Sequence, residues 1–294
     1  MSHMDKKEIK RNAVELYNEY IHGALPRRAF LRKLAGVAGG AAAASALLPM
    51  LEPNYAYGQQ VAGDDPRLQT GYIEYPGSDG RVRAYSAGPA DQSGPLPGIL
   101  VIHENRGLNV HIEDVARRAA LAGYVALAPD GLTFAGGAPA DQEAARDLFG
   151  QSDRERITRD VIAGVPYLAG REDCNGRVGT VGFCYGGGVS LLCAAREESV
   201  AASVCFYGRP LGAEDVARVK APLMMHYAGE DTRINASIPA FRALLDERKV
   251  AYSLHMYPGT GHGFHNDASA ARYNAAAAQL AWSRTIDLFR YELA

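Results

Sequence analysis

The stretch that most constrains this chain is Arg177-Val-Gly-Thr-Val-Gly-Phe-Cys-Tyr-Gly-Gly-Gly188. It follows a turn signal at Asn175-Gly176, starts as a buried strand through Val178 and Val181, and runs into a helix over Gly187–Arg196. Between the two lies Gly182-Phe-Cys184-Tyr-Gly186, the strand-to-helix elbow pattern G-x-C-x-G, with cysteine where serine is commoner. A chain that reverses this sharply holds its central residue in a strained conformation. A Cβ two positions before or after that residue would strike neighbouring backbone, so glycine is required there. The Cys184 sulfur is then pushed out over the carboxyl edge of the sheet. It also lies beside a helix N-terminus, whose positive end favours a thiolate. The competing reading is a cysteine packed as a small hydrophobe. The placement between strand and helix, and the partners found downstream, favour a nucleophile. No Gly-Lys-Ser/Thr follows the triple glycine, which argues against a phosphate-binding loop.

Around this stretch, apolar strands alternate with helices. Strands are expected at Thr70–Tyr75 and Arg81–Tyr85, joined as a hairpin at Gly77–Gly80. Further strands are expected at Gly98–His103, Tyr124–Ala128, Arg177–Phe183, Ala201–Tyr207, Leu223–Tyr227 and Ala251–Tyr257. Helical patterns fall at Ile112–Ala122, Arg154–Ala169, Gly187–Arg196, Ile238–Arg248 and Ala271–Leu293. This alternation implies an α/β fold with a mostly parallel sheet covered by helices on both faces. Gly131–Gln151 breaks the rhythm and is expected to border the site as a loop or small helix.

Residues 1–65 stand apart from the domain at 66–294. Met1–Met4 has the look of an expression scar, and Lys6–His22 patterns as an amphipathic helix. Arg27-Arg28-Ala-Phe30-Leu31, followed by a Gly/Ala-rich run to Leu51, resembles a twin-arginine export signal. The nearest cleavage candidate is Asn54-Tyr-Ala56, and so many Gly and Ala residues make a poor membrane span. The alternative is a retained helical arm, packed on its own body or forming a homodimer with a second subunit. A used signal would place the protein in the periplasm; a retained arm would leave it in the cytoplasm.

The chain carries 47% hydrophobic and 22% charged residues, an ordinary globular balance, and its net charge of −2 gives no reason to expect nucleic acid as a partner. Its cysteines, Cys174, Cys184, Cys193 and Cys205, show no C-x-x-C spacing, so no metal site is expected. Cys193 and Cys205 read as packing residues.

Two candidate partners for Cys184 follow it in the chain. The strand from Leu223 ends in Gly229-Glu-Asp231, a turn from which an acid can reach the carboxyl edge. The next strand runs into Pro258-Gly-Thr-Gly-His262-Gly-Phe264, where a histidine on a glycine-rich loop can lie over the elbow. His262 would serve as general base and then acid, oriented by Asp231, which the pattern favours over its neighbour Glu230. His226 and His255 read as packed or surface residues, and His111 as solvent-facing. Glu104 stands just past a fully apolar strand, either as a site acid or as an ion-pair partner of Arg106. The backbone N–H groups of Asn105 and Tyr185 are placed to form an oxyanion hole.

Taken together, His-Glu104-Asn-Arg-Gly107, Tyr124-Val-Ala-Leu-Ala-Pro-Asp130, Gly-Phe-Cys184-Tyr-Gly-Gly-Gly188, Gly-Glu-Asp231 and Gly-His262-Gly-Phe264 resemble the dienelactone hydrolase family of the α/β-hydrolase superfamily. The resemblance runs from about Tyr72 to the C-terminus. It implies a Cys184–Asp231–His262 triad, a Glu104 that controls protonation of the thiol, hydrolysis of small esters or lactones, and no cofactor. It also implies an arginine four residues after the triad histidine, to hold a substrate carboxylate. Here that residue is Asn266, preceded by His265. Arg106, Phe264 and His265 are therefore the remaining candidates for substrate contact. A thioesterase or carbon–halogen hydrolase on the same triad, or a non-catalytic protein assembled through its arm, are the rival readings.

Overall fold

The structure is a computed structural model that describes residues 6–23, 25–54 and 59–294. The strands are β1 Leu68–Pro76, β2 Arg81–Pro89, β3 Leu96–Ile102, β4 Val125–Pro129, β5 Cys174–Phe183, β6 Val200–Phe206, β7 Leu223–Ala228 and β8 Tyr252–Tyr257. They form one eight-stranded sheet in the order β1-β2-β4-β3-β5-β6-β7-β8. β2 pairs antiparallel with β1 and β4, and every other pairing is parallel. The β1–β2 turn closes as a hairpin, Gly77 N–H donating to Gly80 O at 2.8 Å.

The helices of the body are α4 Val110–Leu121, α5 Gln142–Gln151, α6 Arg154–Ile162, α7 Gly164–Ala169, α8 Tyr185–Arg196, α9 Ala213–Val216, α10 Thr232–Asn235, α11 Ile238–Arg248 and α12 Ala275–Glu292. Strand β3 shows how they sandwich the sheet. Ile99 and Val101 point into a core with Ile112 and Val115 of α4 and Phe289 of α12. Leu100 and Ile102 point the other way, onto Val161 of α6, Leu168 of α7 and Leu191 of α8. A strand buried on both faces reads as an unbroken apolar run rather than an alternation.

Two expected helices differ in detail. The segment at Arg154–Ala169 breaks into α6 and α7 at Ala163, just before Pro166, which has no N–H to continue the ladder. The final helix starts at Ala275, capped by Asn274, whose side chain accepts from Ala277 N–H. Gly131–Gln151 holds a short 3-10 turn at Thr133–Ala135 and the three-turn helix α5, capped by Asp141.

The N-terminal arm is three helices: α1 Lys6–His22, α2 Arg27–Ala38 and α3 Ala41–Leu51. Tyr17, Tyr20, Ile21, Phe30, Leu34, Ala44 and Leu51 bury one another in a satellite core. Tyr20 and Phe30 stack with centroids 4.4 Å apart. The arm lies on its own body. Tyr20 Oη donates to Glu143 on α5 at 3.1 Å, Asn105 Nδ2 donates to Ile21 O at 3.0 Å, and Ala271 N–H donates to Met50 O at 3.1 Å. No single helix among the described residues is long and apolar enough to cross a membrane. The Met1–Met4 segment, and Tyr55 and Ala56 of the cleavage candidate, lie outside the described residues.

Candidate active site

Cys184 sits between β5 and α8 with φ 55° and ψ −111°, in the positive-φ region that an L-residue occupies only under constraint. The constraint is backbone on every side. A Cβ at Gly182 would lie 1.9 Å from Gly186 O, and one at Gly186 would lie 2.5 Å from the carbonyl oxygens of both Ile102 and His103. Cys184 N–H donates to Phe206 O at 3.0 Å, which ties the elbow to the end of β6.

His262 stands on the loop after β8. Its Nδ1–H donates to Asp231 Oδ2 at 2.5 Å, while Asp231 Oδ1 accepts from Ile234 N–H at 3.3 Å as the cap of α10. Glu230 is exposed. With Nδ1 committed, Nε2 is the free nitrogen; it is buried and has no hydrogen-bond partner, and a ring nitrogen of His262 lies within 4.8 Å of the Cys184 sulfur. Burial alone would lower the His262 pKa, but negative charge on Cys184 and the bond to Asp231 outweigh it and lift it to about 9. Burial also opposes ionisation of Asp231, and the His262 bond overcomes it, leaving the carboxyl below its usual range.

Glu104 is buried behind the elbow. Asn266 Nδ2 donates to its Oε2 at 2.8 Å, and Tyr207 Oη donates to Oε1 at 3.4 Å. Burial pushes this carboxyl toward protonation, but the charges of Arg272 and His111, the Asn266 bond and Arg106 together hold its pKa below the ordinary value. Asn266 thus contacts Glu104, and Arg272 supplies the largest of the positive charges that act on it. The preceding His103 fixes the loop: Nδ1–H donates to Glu104 O at 2.6 Å, and Nε2 accepts from Gly131 N–H at 3.1 Å. Asn105 follows directly, and Tyr185 opens α8; both residues line the same cavity as Cys184.

A cavity of about 470 Å³ opens above Cys184, within the usual range for a small-molecule site. Its wall includes Asn105, Tyr185, Tyr207, His262, Arg209 and Arg233. Three sequence candidates for substrate contact are absent from this wall. Phe264 is fully buried against Tyr207 and Tyr257, because its loop turns inward under the sheet edge. His265 packs on Phe183 and Phe206 beneath the site. Arg106 is engaged elsewhere, donating to Tyr17 Oη of the arm at 3.1 Å and to Gln142 O of α5 at 3.3 Å. His111 is likewise buried rather than solvent-facing, because its Nδ1 pairs with Asp267 at 2.8 Å. Arg209 and Arg233 belong to no sequence motif, although each follows the end of a strand, where the carboxyl edge lies.

The arm adds one residue that spacing does not reveal. His22, the last residue of α1, places Nδ1 3.9 Å from Cys184 Sγ, and its ring meets that of His262 edge-on with centroids 4.5 Å apart. Burial, and then the charges of His262 and nearby arginines, hold His22 well below its ordinary pKa, so it is neutral. Its separation from Cys184 by 162 positions hides the contact from any local pattern.

Comparison with known proteins fits this geometry. Residues 82–293 match the family model described as the dienelactone hydrolase family, and residues 1–40 match a model described as YqhI-like. A hydrolase fragment of Escherichia coli K12, YghX, is 52% identical over 112 residues, covering 37% of this chain and 96% of its own length. A Methylorubrum extorquens protein named as a carboxymethylenebutenolidase is 34% identical over 245 residues, covering 78% of this chain and 84% of its own. A crystal structure from Klebsiella pneumoniae described as a dienelactone hydrolase superposes with a TM-score of 0.69 at 26% identity, covering 76% of this chain and 98% of that one. The chain belongs to the dienelactone hydrolase family.

Proposed function

We propose that this protein hydrolyses small carboxylic esters or lactones through a thioester on Cys184, with no cofactor. The observation that carries the reading is a ring nitrogen of His262 within 4.8 Å of Cys184 Sγ, with Asp231 held 2.5 Å from Nδ1. As substrate enters the cavity, the proton shared by Cys184 and His262 passes to the imidazole, under the influence of the Glu104 carboxylate behind the elbow. The sulfur attacks the carbonyl carbon, and the negative charge that develops on oxygen is received by the N–H groups of Asn105 and Tyr185. His262, now carrying that proton, gives it to the departing alcohol oxygen as the carbon–oxygen bond breaks. The neutral imidazole then takes a proton from water, which attacks the thioester. The acid leaves and the sulfur departs as thiolate beside the protonated His262, which restores the starting pair. A thiolate is a strong nucleophile but also a good leaving group, which suits activated enol esters and lactones better than amides.

Arg209 and Arg233 at the cavity mouth suit a substrate carrying a carboxylate away from the reacting carbonyl. The direct test is Cys184→Ala with p-nitrophenyl acetate, alongside iodoacetamide labelling of the unmodified chain. Turnover should fall at least about a thousand-fold, by analogy with triad knockouts, and inactivation should track one label per chain. Turnover that survives in Cys184→Ala would remove the proposal.

A further inference from the structure

The ligand atoms of His22, Cys184 and His262 all lie within 4.8 Å of one another, where the arm meets the elbow. This donor set, two imidazoles and a thiolate, is the kind that binds zinc and cobalt. Zinc bonds of about 2.3 Å to sulfur and about 2.0 Å to nitrogen place tetrahedral donors roughly 3.4–3.6 Å apart. The 3.9 Å between Cys184 Sγ and His22 Nδ1 is a few tenths beyond that. Two further features point to a ligand. Nε2 of His262 is buried without a partner, on a side chain that is 2% exposed. Its Nδ1 is held by Asp231, the carboxylate–histidine arrangement that orients metal-bound imidazoles.

We propose that His22, Cys184 and His262 form a three-donor site for a borderline-soft divalent cation such as Zn²⁺, with a fourth position open to the cavity. Binding occupies the sulfur and the imidazole nitrogen at once, and it fastens α1 to the body. The reaction is an exchange of charge: the cation enters, the thiolate and two neutral imidazoles ligate it, and the proton held by the Cys184–His262 pair leaves to solvent. Because one ligand comes from the arm, the site exists only when the arm is in place. The inference rests on the placement of donors and not on hydrolase activity.

The test is titration of the full chain with Co²⁺, read by absorption. One equivalent should bind, with a near-ultraviolet thiolate-to-cobalt band and the visible bands of a four-coordinate ion. Cys184→Ser should abolish the charge-transfer band, and His22→Ala should weaken binding at least tenfold. His22→Cys should restore affinity and intensify the charge-transfer band, a gain that a loosened arm could not produce. Wild-type affinity and spectrum in His22→Ala, or no charge-transfer band in the unmodified chain at millimolar Co²⁺, would overturn it. A chain that binds Co²⁺ as described yet hydrolyses no ester would sink the hydrolase reading alone.

Discussion

At the scale of single residues, the elbow carries both the strain and the chemistry. Cys184 is held at positive φ because its neighbours allow no other path. Gly182→Ala would set a methyl group against the Gly186 carbonyl at 1.9 Å, and that is main chain, which cannot swing aside. The substitution should destabilise the protein by more than about 3 kcal/mol, in the range reserved for backbone collision. Gly36→Ala is the matching control, since nothing lies within 4 Å of a Cβ there and the residue sits inside α2. Replacing glycine within a helix should be neutral or stabilising by up to about 1 kcal/mol. Paired thermal melts decide the matter; equal effects at the two positions would contradict the collision argument. The elbow was legible in the sequence because its requirement is local, a tight bend with glycines at fixed offsets. The wall of the cavity was not. Phe264 and His265 follow the triad histidine in the chain, but the loop turns them inward, and Arg209 and Arg233 come from other strand ends.

At the scale of elements, α4 is fastened to the loop that carries His262. Asp267 accepts from His111 Nδ1 at 2.8 Å, from Arg118 at 2.6 Å and from Gln60 at 2.9 Å. Arg118 also pairs with Asp114, which accepts from Val61 N–H at 2.7 Å. Burial would raise the Asp267 pKa, but His111, Arg118 and Gln60 outweigh it and hold it far below the usual carboxylate value. A folded-state pKa below the unfolded value of about 3.9 stabilises the fold at higher pH, and that stabilisation fades as pH falls below about 4. Asp267→Asn should therefore lower stability by about 1–3 kcal/mol at pH 7, as for loss of charged hydrogen bonds. The gap in denaturation midpoint from the unmodified chain should narrow on acidification. A gap that stays constant from pH 7 to pH 4 and below would mean that the charge of Asp267 contributes nothing. His111 shows why this cluster escaped the sequence reading. The start of a helix looks solvent-facing until a residue 156 positions away covers it. The sheet itself was readable, because apolar runs alternating with helical periods leave few other ways to bury both faces.

At the scale of the whole molecule, the arm lies across the site. Whether residues 1–65 pack on the body or elsewhere could not be read from helix periodicity, since an amphipathic face does not name its partner. Here that face meets α5, the Asn105 loop and the chain near Ala271. Tyr17, 1% exposed and bonded to Arg106, is central to this contact. Tyr17→Ala should loosen the arm and speed iodoacetamide alkylation of Cys184 severalfold; an unchanged rate would show that the arm does not govern access to the sulfur. The central claim, however, is covalent. The most direct measurement is mass spectrometry of the chain quenched in acid during turnover of p-nitrophenyl acetate, with the modified peptide sequenced. An acetyl group on Cys184, absent in Cys184→Ala and accumulating in His262→Ala, is the expected result; hydrolysis with no acyl group on that cysteine, or with one on another residue, would contradict it.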